Sequence, residues 1–148
     1  MSTHPYLRAY MAGIAVPTFV LLFVMTGFTV IRYVYNVPVP IERVIVFPMA
    51  VVPNLFGLWN IIFVALHNHR RLPIGLHGAL LPFLLAPVGG TFANLLGVLT
   101  FRQGHLVWFQ VVEVPYHFAA IGFCCAMIGY YLVWKYLVGF FNEVLGVA

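Results

Sequence analysis

Four long apolar runs, each closed by a short polar or charged cluster, divide this chain. A bilayer core of about 30 Å takes about 20 apolar residues in helical form, so runs of this length read as transmembrane helices. The pattern predicts spans over 11–31, 44–66, 74–101 and 113–135. Tyr6 and Tyr10 flank one end of the first span, and Arg32, Tyr33 and Tyr35 the other, as interfacial anchors do. The stretch ahead of Arg32 is too long for a cleaved leader, and no small-residue cleavage site follows it. It is read as a retained span.

The loop after it carries Pro38 and Pro40, which favour an extended path. His67-Asn68-His69-Arg70-Arg71 ends the second span, and Arg102-Gln103-Gly104-His105 closes the third. The third is long enough to tilt or break. Glu113 and Lys135 bracket the fourth, about 33 Å apart at helical rise. Pro115 then occupies the first turn of that helix, where its missing N–H costs nothing. Residues 106–112 become an interfacial lead-in carrying Trp108. Tyr130, Tyr131, Trp134 and Tyr136 form an aromatic belt, and the apolar tail 138–148 lies along the interface.

Composition strengthens this picture. Of 148 residues, 64% are hydrophobic and 7% charged, against about 45–50% and 25% in soluble domains. Mean hydropathy is +1.03. The fold class is an all-α integral membrane protein. Four transmembrane helices form one compact bundle over 1–148, with short loops and several proline kinks. The net charge of +4 comes from so few residues that it points to topology and lipid headgroups, not to nucleic acid. Four spans leave both termini on one side. Arg8, Arg70, Arg71 and Lys135 share that side; Arg32, Arg43 and Arg102 lie on the other. The Arg70-Arg71 pair in a very short loop predicts both termini in the cytoplasm. Cys124 and Cys125 are adjacent, so in a helix they point apart and do not form a disulfide.

Lipid gives no hydrophobic drive between helices, so small residues must let backbones approach. Ala119, Gly122, Ala126 and Gly129 share one helical face, and Ala79, Ala86, Gly90, Ala93 and Gly97 another. These stripes are expected to meet each other or a second subunit. Spans two and three also echo one pattern: Pro48, Pro53 and Asn60 are spaced like Pro82, Pro87 and Asn94. Read as an inverted repeat, the echo sets Asn60 and Asn94 at opposite depths around one polar space lined also by Asn54 and Thr91.

The candidates for chemistry are few. Asn54, Asn60, Thr91 and Asn94 are polar groups inside spans and should face other helices. Their plain role is interhelical bonding; their sharper role is a ligand or ion pathway. Glu113 and His117, one turn apart, share a helix face at the membrane edge. An interfacial pair is their plain role; relaying protons, holding a metal or binding a polar headgroup is the sharper one. His67, His69 and His77 could hold a transition metal, although their spacing matches no known site. No cofactor is specified. A haem between two histidines of one chain lacks partners at matching depth, and one shared across subunits stays open. There is no phosphate loop, nucleophile elbow, Cys-x-x-Cys or zinc-protease motif, and the chain has three acidic residues in all.

The leading reading is a non-catalytic subunit, or a module that binds lipid or another apolar ligand. Its partners are membrane lipids and either further copies of itself or a larger membrane complex. An oligomeric small-solute transporter or channel is the alternative, and a haem- or metal-binding redox subunit the third.

Overall fold

The structure is a computed structural model describing residues 4–38, 41–45, 47–67, 72–110 and 112–147. It is mostly helical. Helix α1 runs Pro5–Tyr33 and α2 Ile41–Val44. A π-helical segment, Phe47–Val51, leads into α3, Val52–His67. Pro53 has no N–H, and its ring crowds the Met49 carbonyl, so the wider π turn falls where the α-ladder would clash. Helix α4, Ile74–Ala79, is separated from α5, Leu81–Leu95, by a break at Leu80. There the Leu80 N–H reaches the His77 carbonyl (3.3 Å), and the Phe83 N–H that of Leu80 (3.2 Å). Pro82, in the first turn of α5, cannot continue the ladder of α4. Helix α6, Tyr116–Leu132, passes through a second π segment, Val133–Val138, into α7, Gly139–Val144.

Among the described residues, four helices are long and apolar enough to cross a membrane: Pro5–Tyr33, Met49–Leu66, Ile74–Leu95 and Tyr116–Val144. This is the architecture of a membrane-spanning protein. All four boundaries differ from the sequence expectation: the first span begins at Pro5, not at 11, and the second at Met49, not at 44, and the last two differ more. Span three stops at Leu95, not at 101, because Gly97 takes φ 68°. Its N–H bonds the Asn94 carbonyl (3.0 Å), and the Val98 N–H bonds that of Ala93 (2.8 Å). This glycine cap satisfies the last carbonyls of the helix. Gly97 therefore ends a helix instead of packing one.

The chain then forms an antiparallel meander of β1 (Leu99–Arg102), β2 (His105–Trp108) and β3 (Val112–Pro115). The interfacial lead-in at 106–112 is thus strand and turn. Pro115, at ψ 145°, is still extended and precedes the helix instead of opening it. Lys135 does not end span four. Its ammonium lies 5.8 and 5.2 Å from the Tyr131 and Tyr136 ring centres while the helix runs on. The tail continues the helix, with Val138 and Asn142 buried and Phe140 and Val144 exposed.

Close packing uses other glycines than the expected stripes. A side-chain carbon on Gly13 would sit 2.6 Å from the Phe56 carbonyl and 2.8 Å from Gly57 Cα, so α1 and α3 cross in backbone contact. Gly75 makes room for the Tyr131 ring and Gly78 for Trp134. By contrast, Gly90, Gly122 and Gly129 have nothing within 4 Å of that position among the described residues. The core is Val16, Phe56, Leu81, Trp134 and Val138. Arg8 Nη1 donates to the Leu145 carbonyl at 3.3 Å, so both chain ends lie at one end of the molecule, called here the terminal end.

Candidate functional site

Two features stand out near the terminal end: a layer of buried polar groups, and an apolar cleft next to it. Asn60 on α3 and Asn142 on α7 are both fully buried. Asn60 Nδ2 donates to Asn142 Oδ1 (2.7 Å) and to the Ala9 carbonyl of α1 (2.8 Å). Asn142 Nδ2 returns a bond to Asn60 Oδ1 (3.1 Å). Three helices are thus joined by amides that would be costly to bury alone.

A second clasp joins α3 to α4. Trp59 Nε1 donates to the His77 carbonyl (2.9 Å), and His77 Nε2 lies 2.9 Å from the Trp59 carbonyl. A carbonyl only accepts, so Nε2 carries the proton. That nitrogen is committed to the clasp and has no lone pair for a metal. The His77 ring stacks on Trp59 (4.9 Å) and contacts Phe63 (5.3 Å) and the edge of Trp134 (5.6 Å). Trp134, expected in an interfacial belt, is fully buried, and its Nε1 has no hydrogen-bond partner among the described residues.

Beyond the Gly13–Gly57 crossing, a cleft of about 180 Å³ opens between three spans. Val16, Pro17, Val20 and Leu21 of α1 form one wall. Val52 and Phe56 of α3 form the second, and Tyr130 of α6 with Val133 the third. Phe56 is backed by Tyr130 and Trp134, with ring centres 5.6 and 5.7 Å away. The wall is therefore braced by the same aromatic layer that holds His77.

The other expected site residues go elsewhere. Asn94 Nδ2 donates to the Leu99 carbonyl (3.1 Å), stabilising the exit from α5. Asn60 and Asn94 thus meet different partners, and the structure does not bring them into one space. Thr91 donates to the Pro87 carbonyl of its own helix (2.7 Å). Asn54 is exposed; it bonds the Ala50 carbonyl and accepts from the Tyr10 hydroxyl, linking α1 to α3. Glu113 and His117 share no helix, because Glu113 is on β3 and His117 on α6. Glu113 pairs with Arg102 at 3.8 Å, and the His117 ring lies tilted against Phe118 at 4.4 Å. His69 and the side chain of His67 lie outside the described residues. Among the described residues no three metal-binding side chains gather.

Sequence reasoning missed Tyr10, Trp59, Asn142 and the cleft. Asn142 carried a legible signal, a lone amide in an apolar run like Asn60. The cleft residues carried almost none, since valine and phenylalanine suit a core or a lipid face equally.

Compared with models of known families, with curated proteins and with solved structures, the chain matches none.

Proposed function

We propose that this protein is a compact four-span integral membrane module that holds one hydrocarbon chain, the acyl or isoprenoid arm of a lipid, as a non-catalytic subunit of a membrane assembly. The cleft between α1, α3 and α6 carries the reading. An apolar cavity of about 150 Å³ stays dry and takes benzene, whereas drug-sized ligands need roughly 300 Å³ or more. A cleft of about 180 Å³ lined by eight apolar and aromatic side chains therefore suits a length of chain, not a whole polar solute. The contacts of the polar groups support the same reading. Asn60 and Asn142 bond each other, so they are spent on holding spans together instead of lining a path.

The subunit role rests on Gly122 and Gly129 of α6, where an added side-chain carbon would meet nothing within 4 Å among the described residues, leaving a smooth approach for another helix. Both termini are assigned to the cytoplasm on the strength of Arg70 and Arg71 in the short second loop.

The test is native mass spectrometry of protein purified in mild detergent. One tightly held apolar molecule per chain is expected, and Val52→Trp, which fills the cleft, should remove it. An unliganded wild type, or a ligand that Val52→Trp leaves in place, would overturn the proposal.

A further inference from the structure

The meander between the third and fourth spans has two unlike faces. Its register pairs Leu99 with Trp108, Phe101 with Leu106, Trp108 with Val112 and Leu106 with Val114. Directly paired residues point to the same side of a sheet, and neighbours along a strand to opposite sides. One face is therefore Leu99, Phe101, Leu106, Trp108, Val112 and Val114, whose one polar side-chain group is the Trp108 indole N–H. The other carries Thr100, Arg102, His105 and Glu113 around Val107. The Arg102–Glu113 ion pair at 3.8 Å spans that second face and agrees with the assignment. On the apolar face Phe101 is 60% exposed, Val112 52% and Trp108 38%, whereas Leu99 at 4% on that face and Val107 at 2% on the other are covered by the protein itself.

The connections say what covers this face. Strand β1 begins four residues after α5 ends at Leu95, and β3 ends at Pro115 with Tyr116 opening α6. No linker lets the sheet leave the end of these two spans. The Tyr116 hydroxyl donates to the Arg102 carbonyl (2.8 Å), and the Tyr116 N–H to that of Gly104 (3.0 Å), tying the first hairpin to the start of α6. The sheet is thus held at the end of two candidate spans, and the boundary between hydrocarbon and headgroups is the depth that tryptophan prefers. We infer that the meander is an interfacial plate: its Phe101–Trp108–Val112 patch rests on the acyl–headgroup boundary of the leaflet opposite the termini, and its exposed Arg102–Glu113 pair meets water. This placement is independent of the cleft and of what the cleft holds.

Nitroxide labels test it in the full chain, in phosphatidylcholine vesicles, with Cys124→Ser and Cys125→Ser as background. Phe101→Cys and Val112→Cys should give labels relaxed mainly by oxygen, which concentrates in lipid. Thr100→Cys and Glu113→Cys should give labels relaxed mainly by a water-soluble nickel chelate. Phe101 and Val112 lie on different strands, so local damage at one leaves the other informative. A second reading uses the native tryptophan. The fluorescence difference between wild type and Trp108→Phe should be quenched by lipid brominated near the top of its acyl chains. The inference is overturned if the Phe101 and Val112 labels meet the nickel chelate freely. It is equally overturned if they are shielded from both relaxants, as a covering protein would shield them, or if Trp108 is quenched only from water.

Discussion

The two ends of this molecule are built differently. At the terminal end, polar side chains reach across helices: Asn60 to Asn142 and Ala9, Trp59 to His77, Arg8 to Leu145. Toward the far end, Thr26, Thr29 and Thr91 bond only carbonyls of their own helix. Arg32 and Glu42 pair at the surface. The glycines divide in the same way. Gly13, Gly57, Gly75 and Gly78 sit in tight contacts, whereas Gly90 and Gly122 face open space. Helix α6 contains no buried residue before the chain reaches Trp134 and Val138. Polar clasps and glycine contacts close the spans at one end only, and the cleft begins where that closure stops. An apolar cleft can thus arise from incomplete packing beside a rigid layer, with no dedicated polar group.

The sharpest way to break this contrast is to overpack both ends. Gly13→Leu drives a side chain into the backbone of α3 and should cost about 3 kcal/mol, the upper end of overpacking penalties. Gly122→Leu in the isolated chain should stay within about 0.5 kcal/mol, as surface changes do. Thermal unfolding in detergent compares the two. Equal losses would mean that the far half is packed after all.

A smaller effect is expected at the amide layer. Asn60→Leu strands the Asn142 amide in a dry contact and should cost about 1–3 kcal/mol. Adding Asn142→Leu should cost little more, because the partner is already lost. Full additivity in a double-mutant cycle would contradict the reciprocal bonding.

The smallest effect belongs to the far-end ion pair. A backbone hydrogen bond and, next, the Arg32 guanidinium lower the pKa of Glu42 from the ordinary carboxylate range. Its contribution is therefore present above the unfolded pKa and lost as pH falls through the lowered folded one. Glu42 is exposed, so solvent screens the pair. Glu42→Gln should lower the melting temperature slightly at neutral pH and not at all in strong acid. A difference that grows on acidification would contradict the pairing.

Much of this was legible in the sequence, for a physical reason. Spans announce themselves by length and hydropathy, and four of the expected kind are present. The meander was hidden because valine, phenylalanine and tryptophan serve a strand and a membrane helix alike. Its readable trace was the turn pair Gln103-Gly104 between Leu99-Thr-Phe-Arg and His105-Leu-Val-Trp. Lys135 misled because a charge was read as a stop, although a long lysine side chain can lie along exposed aromatic rings while its helix continues. Asn142 and Trp59 find their partners far along the chain, and nothing local in a sequence encodes such a meeting. The cleft was least legible of all, since it is defined by where helices part.

The central claim is tested most directly by letting a photoreactive chain choose its own site. Protein reconstituted with a lipid bearing a diazirine midway along one acyl chain would be irradiated, digested and mapped. Adducts should concentrate on Val20, Leu21, Val52 and Phe56, and Val20→Trp should abolish them without lowering thermal stability. Adducts spread evenly over lipid-exposed positions such as Phe19, Phe23 and Ile121, unchanged by Val20→Trp, would show that the cleft holds nothing in particular and would contradict the account.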